Sequence, residues 1–325
     1  MSETSPSVDT AAPTLPEVVI GMPTFRRPEG LARVVPQLLA QARALRGAVA
    51  RVVVVDNDPD GSARSAAQAW QAEDFRYVHE PRPGIAAARN RALDEAQGAA
   101  ALVCFDDDEA PLDGWLQALV DGWRDWGSAA VTGPVESVFE GAADDFVRAS
   151  GVFATRRRAT GTAVPGADSG NLLLDLATLE RHGIRFDEQF GLSGGSDTML
   201  AHTLRASGEQ IRWCQEALAQ EYIPASRSRR DWVVTRTVRT SNTWSRMRLV
   251  LARRDGGLLR TRAELTARAG VRLLRGGVTW ARGRVAHRVD QEAHGAIDMA
   301  SGRGLLLGAY GVVRYEYRRA EPTSG

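Results

Sequence analysis

The sequence predicts an α/β fold: a mostly parallel central sheet flanked by helices, with an Arg-rich helical extension behind it. Three observations carry that prediction. Apolar runs of strand length alternate with helical periodicity over residues 18–208, the pattern of strands joined by crossover helices. Several of these runs stop abruptly at acids or arginines. Past Tyr222 the alternation ends, and amphipathic segments with many arginines take over.

The first run, 18–22, leads into Pro23-Thr24-Phe25-Arg26-Arg27-Pro28. Proline and a polar cluster at a strand end read as loop rather than further strand. Leu31, Val34, Val35, Leu38 and Leu39 then recur at helical spacing. The second run, 51–55, is nearly pure valine and closes on Asp56-Asn57-Asp58-Pro59-Asp60-Gly61. A helix over 62–73, a strand over 75–79 and a turn over 81–84 follow. An Ala-rich helix over 85–96 is ended by Gly98.

The central stretch is 101–109, a buried-strand pattern that ends in four consecutive acids, Asp106, Asp107, Asp108 and Glu109. Crowded carboxylates raise one another's pKa. A divalent cation relieves that repulsion, and hard oxygen ligands suit Mg²⁺ or Mn²⁺. Taken alone, the run reads equally well as a helix start or an acidic turn. Yet three strand ends carry such groups: Arg26 and Arg27, Asp56 and Asp58, and Asp106 to Asp108. Right-handed crossovers bring these ends to one rim of the sheet, where α/β proteins bind ligands. A single Asp after a strand is most often a turn residue or cap; three clusters on one rim are harder to explain that way.

Beyond the acids, Trp115, Leu116, Leu119 and Trp123 predict a helix over 115–126, followed by a strand over 129–135. A helix over 139–153 and an irregular, basic, mobile loop over 156–166 come next. The stretch 168–174 is a loop entering a strand, 176–182 a short helix and 186–190 a turn. Gly194-Gly195-Ser196-Asp197 then runs into a helix over 198–206, with Ser196 or Asp197 as its cap. Asp197 reads either as that cap or as a general base at a pocket edge.

Together these residues resemble an inverting family 2 glycosyltransferase of the GT-A fold, closest to the bacterial exopolysaccharide type. The match rests on five motifs in order: Pro23 to Arg27, Val55 to Asp58, Gly84 to Asn90, Phe105 to Pro111, and Ser169-Gly170-Asn171 through Phe186-Asp187-Glu188 to Asp197. The resemblance implies a nucleotide-sugar site at Pro23, Thr24, Arg26, Asp56, Asp58, Arg89, Asp106 and Asp107. It implies a Mn²⁺ or Mg²⁺ ion on Asp106 and Asp108, with Asp108 the direct ligand. Asp197 falls where the family keeps its catalytic base, and Trp115, Asn171, Gly195 and Ser196 fall on the acceptor side. Ser196 departs from the family, which often has Glu beside the base. A related nucleotidyltransferase would carry a Gly-rich basic signature after the first strand, which Pro23 to Arg27 is not. A non-catalytic sugar-nucleotide-binding scaffold is the third reading, and intact Asp108 and Asp197 argue against it.

Composition sets outer limits. A chain of 325 residues, 43% hydrophobic and 25% charged, is that of a globular protein. Cys104 and Cys214 make no disulfide framework, which fits a reducing cytoplasm. The Ser/Thr/Pro-rich start, 1–16, reads as a disordered lead-in rather than a signal peptide. No apolar stretch reaches the roughly 20 residues of a membrane span. All 41 basic residues are arginine. From Arg227 onward there are 21 Arg and 8 acids, a surplus of 13, so residues 1–226 carry 1 − 13 = −12. Three units result: the lead-in, a catalytic domain over 17–225 (nucleotide half 17–110, acceptor half 111–225) and a basic helical extension over 226–325. Expected partners are a nucleotide-diphospho-sugar and a glycan, lipid-linked or small-molecule acceptor, without nucleic acid. The extension reads either as a solvated face packed on the acidic front or as a peripheral contact with anionic membrane at the inner face of the plasma membrane.

Overall fold

Residue 17 opens a strand and residue 223 closes the last one. Along the first half run β1 (Glu17–Thr24), α1 (Pro28–Ala44), β2 (Val49–Asp56), α2 (Arg64–Ala67), β3 (Phe75–His79), α3 (Ile85–Glu95) and β4 (Ala101–Phe105). Next come β5 (Glu109–Pro111), α4 (Trp115–Trp126), β6 (Ala130–Thr132), β7 (Val135–Phe139), α5 (Asp145–Ala149), β8 (Asn171–Asp175), α6 (Leu176–His182), α7 (Ser196–Ala206), β9 (Ile211–Trp213) and β10 (Ala219–Ile223). The chain ends in α8 (Arg230–Arg254), α9 (Leu258–Val285) and α10 (Val289–Ala309). This computed structural model describes residues 15–70, 72–254 and 256–315, so all but the last two residues of the expected lead-in lie outside it.

Seven strands form the main sheet in the order β3-β2-β1-β4-β8-β6-β9, and only β8 runs against the others. The architecture is therefore the expected mixed α/β one. The valine runs follow from burial on both faces. Val18, Ile20, Met22, Val52 and Val54 pack under α1 and α4 on one side, while Val19, Val53, Val55 and Leu102 pack against α3, α6 and α7 on the other. Continuous apolar runs rather than alternation are what such strands require.

Several local readings are corrected. Pro23 and Thr24 belong to β1 and pair with Val55 and Asp56. β4 pairs with β1 only as far as Gly21, so beyond it β1 has a strand on one side only and the missing proline N–H goes unneeded. The helix over 62–73 shrinks to the single turn α2, because the chain must double back for Phe75 to pair with Val52. The segment 129–135 is two strands in two sheets. The segment 139–153 is the end of β7 and the short α5. Its aromatics Phe139, Phe146 and Phe153 have helical spacing, but they fill a cluster with Val233 and Ala293 of the C-terminal helices. A second sheet, β5-β10-β7, joins the strand after the four acids to the segment that precedes α8.

Gly276, Gly277, Gly302, Gly304 and Gly308 interrupt nothing; they lie inside α9 and α10. All but Gly277 are where helices touch backbone to backbone. A Cβ at Gly276 would stand 2.8 Å from the Gly295 carbonyl oxygen, and one at Gly308 2.6 Å from that of Asn242.

Candidate active site

The ends of β1, β2 and β4 share one rim, as parallel strands in register must. At the end of β1, Arg26 takes a left-handed φ of 54°, uncommon for a residue with a side chain. That turn sends its guanidinium to Asp58 (3.0 Å) and Asp60 (3.2 Å). The loop after β2 is tied from inside. Asp56 accepts from the Asp58 amide (3.0 Å), the Ala63 amide (2.8 Å) and the Tyr77 hydroxyl (2.9 Å). Asn57, which the sequence did not single out, donates to the carbonyls of Glu80 and Arg82 and accepts from the Gly84 amide (3.2 Å), fixing the entry to α3.

The acids after β4 occupy three different surroundings. Asp107 is buried and fully engaged, accepting from the Thr24 hydroxyl (2.7 Å) and Arg27 (2.8 Å). Burial wins over Arg27 and lifts its pKa to about 6. Asp108 meets Arg27 and Arg227 at 2.9 Å each, both on Oδ2. Burial pushes its pKa up, but the two guanidinium groups pull harder and hold it below the usual carboxylate range. Asp106 is paired with Arg89 (3.1 Å), stays partly open to solvent, and has a raised pKa from burial and from the charges of Asp108 and Asp197.

Asp197 reaches this site from α7. Gly195, not Ser196 or Asp197, is the N-cap: its φ of 97° and the close methyl of Thr243 leave no room for a Cβ. Asp197 sits in the first turn, accepts from the Thr198 amide (2.6 Å), and is half-buried. Burial first, and then the charge of Asp168, raise its pKa, while Arg89 opposes them. Arg89 therefore acts on both Asp106 and Asp197, and the charge of Asp197 reaches Asp106. The acid that neighbours Asp197 comes from the loop before β8, in place of the Glu that the resemblance puts at 196.

Behind these residues lies a carboxylate pair that the sequence shows only in half. Glu109 on β5 and Glu221 on β10 are direct partners in the antiparallel ladder, an arrangement that like charges disfavour. Burial and the neighbouring carboxylates raise both, Glu221 to about 6. Glu109 Oε2 is buried without a hydrogen bond, and Gly170 is a glycine because a Cβ there would overlap Glu109 Oε1. Glu109 was visible as the fourth acid of the run. Arg27 stood inside a quoted motif. Arg227 and Glu221 had no sequence signal, since only the second sheet carries them back to Asp108.

Other expected contacts are corrected. Pro23, Thr24, Asp56 and Asp107 are buried in or behind the rim and present no open side chain to a ligand; they hold the loops instead. Asp58 is likewise buried and spends Oδ2 on Arg26. Trp115 and Asn171 lie in the core. The indole N–H donates to Asn171 Oδ1 (2.8 Å), and Asn171 Nδ2 donates to the carbonyls of Pro134 (3.2 Å) and Ala217 (2.7 Å). Both side chains are spent on hydrogen bonds inside the core. Ser196 is fully buried and Gly195 shapes the turn.

The donor set fits a hard divalent cation. Asp106 and Asp108 offer carboxylate oxygen in a surplus of negative charge that three arginines do not cancel. Among the described residues no three acids, histidines or cysteines form a ligating cluster.

Comparison with known proteins adds the following. Residues 19–183 match the family model described as glycosyl transferase family 2. Over 242 residues the chain is 34% identical to the succinoglycan biosynthesis protein ExoM of Rhizobium meliloti (strain 1021), covering 74% of this chain and 76% of that protein. Among solved structures it is similar to the crystal structure of GalNAc-T7 with UDP, GalNAc and Mn²⁺, at a TM-score of 0.49 and 13% identity. That likeness covers 73% of this chain, which spans about half, 51%, of the other.

Proposed function

The chain belongs to glycosyl transferase family 2 and is a glycosyltransferase; from that premise we propose that it moves a sugar from a nucleotide-diphospho-sugar to an acceptor hydroxyl with inversion, in polysaccharide or glycoconjugate synthesis. The observation that supports this most is that Arg89, paired with Asp106 at the end of β4, also acts by charge on Asp197 at the start of α7. Donor groups belong on the β4 side and the acceptor on the α7 side.

In this reading Asp197 accepts the proton of the acceptor hydroxyl. The hydroxyl oxygen bonds to the anomeric carbon as the bond from that carbon to the diphosphate oxygen breaks. The electron pair leaves with the nucleoside diphosphate, and one displacement inverts the centre. Arg89 orients the diphosphate by charge, while Arg27 exchanges its partners for the same phosphates. Asp106 and Asp108 would hold a divalent cation, which when bound supplies charge neutralisation at the leaving group. The free, buried thiols of Cys104 and Cys214 support a cytoplasmic setting.

A thermal-shift screen of nucleotide sugars with Mn²⁺ identifies the donor, because a ligand of the native state raises stability. With that donor, Asp108→Ala should abolish Mn²⁺-dependent transfer while the protein stays folded. Turnover at the wild-type level in that variant would remove Asp108 from the metal site.

A further inference from the structure

We propose that the outward face of α9 is a docking surface for an anionic lipid bilayer, on which the helix lies in the plane of the interface. The inference is independent of the catalytic reading. Leu259, Val271, Leu274, Val278 and Val285 are 53–84% exposed. At 3.6 residues per turn they fall within an arc of about 120° and extend over roughly 40 Å. Ala263, Ala267 and Ala281 share the arc and are exposed, and Arg260, near its N-terminal end, is the one charged residue within it. The buried positions of the helix, Leu265, Ala269, Gly276 and Gly283, lie on the opposite side against α10. An amphipathic helix normally spends its apolar stripe on the core. This one has a second stripe that faces outward, and a long exposed apolar strip marks a contact surface.

The charges say what covers it. α9 carries seven arginines (260, 262, 268, 272, 275, 282 and 284) and one acid, Glu264. Arg268, Arg275 and Arg282 line one margin of the stripe, and Arg262 and Arg284 the other. Two grooves border it. One of about 730 Å³ is walled by Trp244, Val271, Arg268, Arg272 and Arg275, and one of about 510 Å³ by Leu259, Arg262 and the exposed Tyr310. Apolar stripe, arginine margins and an aromatic with its hydroxyl at the edge form the pattern of a helix sunk to headgroup depth. A second copy of the chain fits poorly, since a twofold contact sets each patch against itself and would bring arginine margins together. Nucleic acid has no use for the leucines and valines. No helix among the described residues is long and apolar enough to cross a membrane, so the contact is peripheral.

The test uses the full chain, sedimented with vesicles of phosphatidylcholine alone or with phosphatidylglycerol at about one part in three. Binding is expected with the anionic vesicles and is expected to weaken as salt rises. Leu274→Glu with Val278→Glu should reduce binding about tenfold or more, and Arg268→Glu with Arg282→Glu should reduce it comparably. Both pairs are exposed, so melting temperature and donor binding should not change. Equal binding to neutral vesicles, equal binding by the apolar pair, or none by the wild type overturns the proposal. So does a wild-type dimer in sedimentation equilibrium that the Leu274→Glu, Val278→Glu variant converts to monomer.

Discussion

Asp106, Asp107 and Asp108 are adjacent in sequence and differ in every respect that matters for chemistry. Strand geometry ends at Phe105, and the turn that follows aims the three side chains at different partners: Arg89, then Thr24 with Arg27, then Arg27 with Arg227. Only Asp106 and Asp108 keep a side suited to a ligand, while Asp107 fastens the end of β1 to the end of β4. Asp197, like Asp106, has a pKa raised chiefly by burial. Asp197→Asn should lower transfer by roughly 10²–10⁴-fold while donor binding survives. In the wild type, the rate should begin to fall at a pH above that of an ordinary carboxylate, because the base loses function once protonated. If donor binding dropped in step with rate, Asp197 would instead be a structural residue.

At the scale of elements, glycine illustrates how one residue type serves opposite ends. In α9, Gly276 packs directly on the backbone of α10, whereas Gly270 has nothing within 4 Å of where a Cβ would sit. Helix propensity alone favours alanine at both sites by about 1 kcal/mol. Gly270→Ala should therefore stabilise by up to about that amount. Gly276→Ala should destabilise by about 1–3 kcal/mol, since the helices must move apart. Chemical unfolding of the two variants decides this; equal shifts would mean that the helices do not touch as described. The same close packing explains why Gly276, Gly302, Gly304 and Gly308 lie within continuous helices.

For the whole molecule, charge is the organising quantity. The front carries −12 and the back +13, and the two meet where Arg227, at the root of the helical extension, lands on Asp108. The acids still outnumber their partners. Asp107 and Glu221 keep their protons to about pH 6 when folded, but an unfolded chain releases them near pH 4. Between those values the folded state binds more protons, so this stability is full below about pH 4 and is lost as pH rises through about 6. Asp58 and Asp108, held low, act in the opposite sense only below pH 4. Chelator-treated protein should therefore lose on the order of 2 kcal/mol for Asp107 and again for Glu221 between pH 4.5 and 7, and Mn²⁺ should restore part of it. A urea midpoint that rose over that range would contradict this account.

The sequence by itself determined the alternation of strands and helices, the family, the rim on which the acids stand and the candidate base. All of these are local: a run of valines, a strand that stops at aspartates, a Gly-Gly before Asp197. Only the tertiary structure decided which carboxylates are open and which are spent on loops, that Trp115 and Asn171 lie in the core, that Glu221 and Arg227 belong to the site, and which face of α9 looks outward. These depend on contacts between residues as many as 119 positions apart, as for Asp108 and Arg227. A side chain's charge and exposure are set by what the fold brings to it, and no neighbour in sequence carries that information.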